Sequence, residues 1–571
     1  MLYRCRGCYL QVRGDVVPQN DILFEELSTS NIPPSSYKEF HTQYNSTSET
    51  LEALELQIRE LYASLSSLEK TRAHVVEKKR LYHSILHPIR RLPPEILSEI
   101  FRIRSFDEVN VRGRKALGTL DTRKAPWTLS QVCRSWRAVA ACTPDLWTTI
   151  DVPSRVDGLS LKGAALLEQL LSLQLDRSRE QPLSISYHSD SPLNIAHARL
   201  LERSLPLLCS RASQWVQARL KGYIPGLAPL CRFGGDFCSL QSLDVHFMED
   251  DWTSDAVSTF RVFKNSPSLK RLTLRGEAEV LLQEGDQIPW QQLTYYEARD
   301  SEYWNPDLNE HFRILPKLER LEVCVLDSEY SGDSGPPTRP SGYLELRFLH
   351  TLVIGHAFDC ASSCGMDALF NWLVLPALRV LRLPDGFDCL PELVACLNRS
   401  RCSLEELAMV MDGDVGYSRD FPDNFVRLLK ESALHNLETL KFRRMVWINE
   451  GIQQKMWDAV FETLTLATND EALVMPRLRS LTLDGRVYNI PASTIGNHER
   501  LLAMVSSRRS IDPDLSCRGA RRLKELIFWN FGKEGTHPLE GSSMDQLLKV
   551  SSDGLVCNWY WGDSDWYKVD G

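Results

Sequence analysis

Leu378-Arg379-Val380-Leu381-Arg382-Leu383 carries the pattern that decides the fold: a leucine, two variable residues, a second leucine, and an alternating apolar end. The same string stands at Leu240-x-x-Leu243-x-Val245, Leu269-x-x-Leu272-x-Leu274, Leu318-x-x-Leu321-x-Val323 and Leu349-x-x-Leu352-x-Ile354. It returns at Leu404-x-x-Leu407-x-Met409, Leu437-x-x-Leu440-x-Phe442, Leu478-x-x-Leu481-x-Leu483 and Leu523-x-x-Leu526-x-Phe528, and a degenerate copy, Leu293-x-x-Tyr296-x-Ala298, fills the widest early gap. Alternation at the end of each string predicts a short strand with every second side chain facing inward, and the first leucine fills the layer below it. No single copy can bury its own apolar face, so the copies must stack on one another into a continuous core.

Prolines just before the string (Pro267, Pro316, Pro376, Pro476) suit a turn entering a strand, and Phe425 to Leu434 and Met456 to Leu466 read as amphipathic helices between strands. The spacing of the copies resembles that of leucine-rich repeats, with insertions before the last two. The asparagine that follows the strand in regular leucine-rich repeats is missing, so the resemblance implies an irregular solenoid or horseshoe. The expected class is α/β, with helical segments ahead of a repeat region over 151–545.

Upstream, residues 1–48 are rich in Ser, Thr and Asn with Pro33-Pro34, and read as a flexible tail. From 49 to 87 a heptad seam runs through Leu51, Leu54, Ile58, Leu61, Leu65, Leu68, Val75 and Tyr82, with Arg72 and Lys79 in two seam positions. Such a helix either packs on its own chain or self-associates. Pro88 ends it. A second helix starts in Leu92-Pro93-Pro94-Glu95-Ile96-Leu97-Ser98-Glu99-Ile100-Phe101, where proline in the first turn loses no hydrogen bond and Glu95 faces the positive helix end. Ile96, Leu97, Ile100 and Phe101 read as one apolar stripe. Residues 102–125 are basic and polar around Gly113 and Gly118 and read as an exposed loop. Helical signal resumes over 126–140, with Leu129, Val132, Cys133, Trp136 and Val139 on a common face, and Pro144-Asp145-Leu146-Trp147 closes the unit.

Residues 88–150 resemble the F-box, whose signatures are Leu-Pro-x-Glu-Ile/Leu at a first helix and Val-Cys-Arg-x-Trp-Arg at a later one. Both are intact here as Leu92-Pro93-Pro94-Glu95-Ile96-Leu97 and Val132-Cys133-Arg134-Ser135-Trp136-Arg137. The double proline, the lead-in Trp127-Thr128-Leu129-Ser130 and the upstream heptad helix are similar to the large fungal F-box family. The 102–125 segment departs from it, being longer and more basic and lacking the apolar helix usual there. The resemblance implies docking on the Skp adaptor of an SCF ubiquitin ligase, and through it on a cullin. The matching adaptor-binding residues are Leu92, Pro93, Pro94, Glu95, Ile96, Leu97, Ile100, Phe101, Leu129, Val132, Cys133 and Trp136. For Phe101, Cys133 and Trp136, membership of the unit's own core is the favoured reading. A surface so rich in large apolar groups suits helix-in-groove recognition.

Composition narrows the rest. The chain has 571 residues, too many for one ordinary core, at 43% hydrophobic and 25% charged. No run of about 18 apolar residues occurs, the stretch from Leu159 to Leu175 being broken by Lys162 and Glu168. The first residues lack the order of a secretory signal, so cytoplasm or nucleus is expected. Fifteen scattered cysteines read as reduced, and a net charge of −9 argues against nucleic acid as partner. Cys5 and Cys8 have metal-ligand spacing without two further ligands (His41 and His74 are distant), and Cys360 and Cys364 likewise stand alone, so no cofactor is expected. No nucleophile elbow, phosphate loop or His-Glu-x-x-His string is present, and no enzyme is expected. Ser506 to Ser510 with Arg508, Arg509, Arg518, Arg521 and Arg522 reads as a solvated basic loop, with recognition of an acidic partner as the alternative. The aromatic end from 546 to 571 (Trp559, Tyr560, Trp561, Trp566, Tyr567) reads as a cap on the last repeat. The expected function is a non-catalytic substrate receptor that holds a protein target on its repeats; the alternative is a scaffold that uses the F-box without ubiquitin transfer.

Overall fold

The computed structural model describes residues 2–4, 11–13, 34–110, 118–152, 158–189, 195–222, 227, 230, 236–247, 261–275, 288–299, 312–326, 342–355, 366–383, 389–410, 421–443, 450–467, 472–484, 498–529, 547, 549 and 554–560. Cys5, Cys8, Cys360, Cys364, Trp561, Trp566 and Tyr567 lie outside them. The chain divides into two compact units, 1–94 and 95–571.

The first unit is dominated by helix α1, Pro34–Leu86, which begins well before the expected Glu49 and takes in part of the segment read as a tail. Ser, Thr and Asn there do not break it, because Thr42 and Thr50 turn their hydroxyls back to donate to the carbonyls of Lys38 and Ser46. All eight apolar seam residues are exposed, Leu54 at 51% and Leu61 at 44%. No helix among the described residues is long and apolar enough to cross a membrane.

The second unit is built on a fourteen-stranded parallel sheet in which spatial order follows chain order. Its strands are β1 Thr149–Val152, β2 Leu183–Ser189, β3 Trp215–Gly222, β4 Ser242–Phe247 and β5 Arg271–Arg275. They continue as β6 Tyr295–Arg299, β7 Val323–Leu326, β8 Thr351–Ile354, β9 Val380–Leu383 and β10 Glu406–Val410. The last four are β11 Thr439–Arg443, β12 Ser480–Asp484, β13 Glu525–Trp529 and β14 Val556–Tyr560. Every quoted copy lies at a strand of this sheet. Leu243, Leu272 and Tyr296 are partners across β4, β5 and β6, as are Leu352, Leu381, Leu407, Leu440, Leu481 and Leu526 further on. These side chains are buried in a single core that runs from Leu120 to Leu555.

One copy is displaced. Cys324, not Leu321, pairs with Tyr296 and Leu352, so this copy is Leu321-x-x-Cys324-x-Leu326, three residues later than the leucines suggest. Leu318 still packs in the core beneath it. The sheet also starts earlier than the leucine strings do. Ile150, Ile185 and Ala218 continue the inward row back from Leu243, and at the first and third of these the leading position is taken by a tryptophan: Trp147-x-x-Ile150-x-Val152 and Trp215-x-x-Ala218-x-Leu220. Both indoles are fully buried. At the other end β14 lies in the segment read as an aromatic cap: it adds a strand, and the Tyr560 ring stacks on Trp529 at 4.7 Å.

The basic stretch at 506–510 is not a solvated loop. Arg508 closes helix His498–Arg509 and is fully buried. Its guanidinium donates to the carbonyls of Leu464 (2.7 Å), Met475 (2.9 Å) and Val474 (2.9 Å), and Arg509 donates to that of Leu523 (2.9 Å). Burial pushes the Arg508 pKa down. Those carbonyls end one helix and lead into β12, so the cation holds a connection with no strand among its described residues. Replacing Arg508 with Met strands three buried carbonyls and should cost on the order of 3 kcal/mol or more. It should lower the melting temperature of the purified chain, whereas exposed Arg522→Met should leave it within error.

Candidate functional site

Helix α2, Pro94–Asn110, carries the first signature of the F-box-like segment. It runs through the first part of the stretch read as a loop; Arg102 and Arg104 are helical, and residues 111–117 lie outside the described set. Glu95 occupies its first turn. The four apolar residues expected on a single stripe fall on two faces. Leu97 and Phe101, four apart, are buried at 3% and 0%. Ile96 and Ile100, also four apart, are 49% and 37% exposed, and Ile103 extends their row at 64%. Helical geometry places 96, 100 and 103 on one side and 97 and 101 on another. Ile103 was hidden in sequence by the arginines around it.

The second signature is a helix–break–helix and not one continuous helix. Helices α3, Trp127–Gln131, and α4, Arg134–Ala141, are separated at Val132 and Cys133. Cys133 is extended at the N-cap of α4, where its sulfur accepts from the Trp136 N–H at 3.5 Å. Arg137 spans the break by donating to the Ser130 carbonyl at 3.0 Å. The bend takes Val132 off the common face, leaving it 54% exposed, while Val139 is buried at 8%. Trp136 is half-buried and sets its ring 5.0 Å from that of Phe101, which docks α4 on the buried side of α2. Leu129 and Cys133 are also half-buried, and Cys133 is a free thiol. At the end of the first unit, Leu92 is half-buried and Pro93 and Pro94 are exposed.

Polar contacts fix this frame. Arg102 bridges Glu99 on its own helix and Asp145 (2.9 Å) in the turn Pro144–Trp147. Arg123 donates to the Asp121 carboxylate at 2.9 Å, and that hydrogen bond holds the carboxyl below its usual range. Trp127 meets Trp147 edge to face at 4.9 Å, and their ring N–H groups donate to Thr119 and Ala140 carbonyls, both at 2.8 Å.

The same two rings join this unit to the sheet. Arg177, on helix Leu161–Ser178, lies over Trp147 at 4.4 Å and Trp127 at 5.4 Å. Gln174 of that helix donates to the Thr149 carbonyl at 2.8 Å. Gly118, with φ of +54°, lies so close to β1 that an added Cβ would stand 2.2 Å from the Asp151 carbonyl oxygen, so no other residue fits there. Trp147 therefore closes the helical unit and opens the first strand repeat, with no linker between them.

The two faces of α2 make different predictions. Phe101→Ala should destabilise the unit by roughly 3–5 kcal/mol through the cavity it leaves. Ile96→Ala and Ile103→Ala should each change stability by less than about 0.5 kcal/mol. Thermal unfolding of the intact chain, with limited proteolysis to locate the opened segment, checks both.

Residues 89–153 match the F-box-like family model, and this span contains α2, α3, α4, the closing turn and all of β1. No curated protein matches the chain. The helical unit at 89–153 is thus an F-box-like domain, and it supports reading the chain as an F-box protein.

Proposed function

We propose that this chain is the non-catalytic substrate receptor of an SCF-type ubiquitin ligase. The F-box-like domain docks a Skp-type adaptor, the adaptor joins a cullin, and the sheet, read as an irregular leucine-rich-repeat-like solenoid, holds a protein target. One observation carries the proposal: the family match falls on a domain that keeps Leu97 and Phe101 for its own core while leaving Ile96, Ile100, Ile103 and Val132 in solvent. Exposed branched aliphatics on a short helix and at a helix break suit an apolar partner groove. Glu95, Leu129, Cys133 and Trp136 complete the proposed adaptor surface. The receptor supplies no bond-making group; it raises the local concentration of target near the transferring enzyme.

Pull-down of the intact chain on recombinant Skp-type adaptor tests this. Ile96→Asp combined with Val132→Asp should weaken capture by about 100-fold, because two carboxylates would be desolvated at the interface. Melting should not change, since both positions are exposed. Failure of the intact chain to bind contradicts the proposal. A scaffold role without ubiquitin transfer shares adaptor capture, but cullin would not co-purify and no partner would accumulate on proteasome inhibition.

The exposed seam of α1 favours a second partner, another copy of this chain, through a parallel or antiparallel coiled coil. Light scattering of the full chain should then give a dimer mass that falls to the monomer in Leu54→Asp with Leu61→Asp. A monomeric unmodified chain contradicts it.

A further inference from the structure

The buried inward side chains of the sheet are almost all apolar, Ser189 being an exception, but the opposite face changes character along the molecule. Over β2 to β6 three rows cross it, each made of residues that are register partners. The row nearest the strands' N-terminal ends is Ser184, Gln217, Ser242, Arg271 and Tyr295, and the middle row is Ser186, Arg219, Asp244, Thr273 and Glu297. The row nearest their C-terminal ends is His188, Lys221, His246, Arg275 and, as a register position, Arg299. Four consecutive strands thus place a cation or an imidazole at the same level, at the interstrand spacing of about 4.8 Å.

Like charges at neighbouring positions of a sheet repel. Among the described residues of these rows, two carboxylates stand against them. Asp244 accepts from Arg219 at 3.0 Å and lies 3.8 Å from Arg275, and Glu297 lies 3.6 Å from Arg275. Lys221 has no ion pair among the described residues, and Arg271 packs over the Tyr295 ring at 4.0 Å. Four described Lys and Arg side chains (219, 221, 271, 275) less two carboxylates leave an excess of two positive charges on this face, in a chain whose net charge is −9. Burial, and then Lys221 and Arg275, hold the His246 imidazole below its usual range in spite of Asp244 beside it. The balance of the described side chains on this face is positive, and the cations stand in solvent: the side chains of Arg219 and Arg275 are 66% and 43% exposed.

We infer that the open face of β2 to β6 docks an acidic segment of a protein partner, lying across the strands with its carboxylates over Lys221, Arg275 and Arg219. Charge complementarity selects the occupant. A long polyanion such as nucleic acid would meet the repulsion of the whole negative chain, whereas a short acidic segment senses chiefly this patch within a Debye length of about 8–10 Å. The inference rests on the reading of the sheet as the target-holding part of a receptor.

The test is fluorescence anisotropy of the full chain with a labelled decapeptide of alternating Glu and Ser, beside a matched Gln–Ser peptide. The Glu peptide should bind at least about tenfold more tightly than the Gln peptide, and the preference should shrink as salt is raised. Lys221→Glu should weaken the Glu peptide by about tenfold or more, and exposed Lys524→Glu should not. Equal binding of the two peptides, no binding of either, an unchanged affinity in Lys221→Glu, or a single-stranded oligonucleotide that outcompetes the Glu peptide would each overturn the inference. Adaptor capture by the same Lys221→Glu chain is measured in parallel: loss of peptide with adaptor retained assigns the patch to the target, and peptide binding by a chain that never captures adaptor leaves the patch standing while the receptor reading falls.

Discussion

The inward row of the sheet begins on Trp147. In a parallel ladder in chain order, each strand completes the backbone hydrogen bonds of its neighbours and covers part of their apolar layer, so the first strand needs something other than a strand on its outer side. Here the F-box-like domain supplies it. Trp147 fills the leading position of the first repeat, its ring N–H is satisfied inside the helical unit by Ala140, and Arg177 from the first helix of the repeat region lies on its face. The indole belongs to both halves at once, and the F-box-like match runs on through β1.

That fusion has a functional meaning under the receptor reading. A receptor delivers its target by geometry, and a flexible joint between adaptor domain and target surface would spread the target over a large volume. The shared Trp147, the contact of Gly118 with Asp151, and the Gln174 hydrogen bond to Thr149 leave little freedom at the junction. Buried Arg508 does comparable work further along, before β12. Half-buried Arg399 likewise donates to the Phe370 and Leu373 carbonyls, so guanidinium groups help to close the connections between strands.

Much of this was legible in the sequence because leucine spacing is a packing constraint. The inward row follows the quoted strings wherever leucine itself fills the site. It was lost where another residue does the same work: Trp147 and Trp215 lead two repeats unseen, and at Leu318 and Leu321 two leucines three apart both fit, so only the pairing of Cys324 decides. The two signatures at 92–97 and 132–137 were readable as strings, but their division into core and surface was not. A one-residue step around α2 separates buried Leu97 from exposed Ile96, and the break at Val132 has no proline or glycine to announce it. Arg508 was illegible for a different reason: its partners lie 33 to 44 residues away, and no local pattern distinguishes a guanidinium aimed at carbonyls from one in water.

The central proposal is that the exposed side of the F-box-like domain is an adaptor surface and the sheet is left free for another partner. Hydrogen–deuterium exchange of the intact chain with and without recombinant Skp-type adaptor tests it most directly. The account predicts new protection confined to α2 and the α3–α4 break, with β2 to β14 unchanged. Protection spread over the sheet, or none in the F-box-like domain, would contradict it.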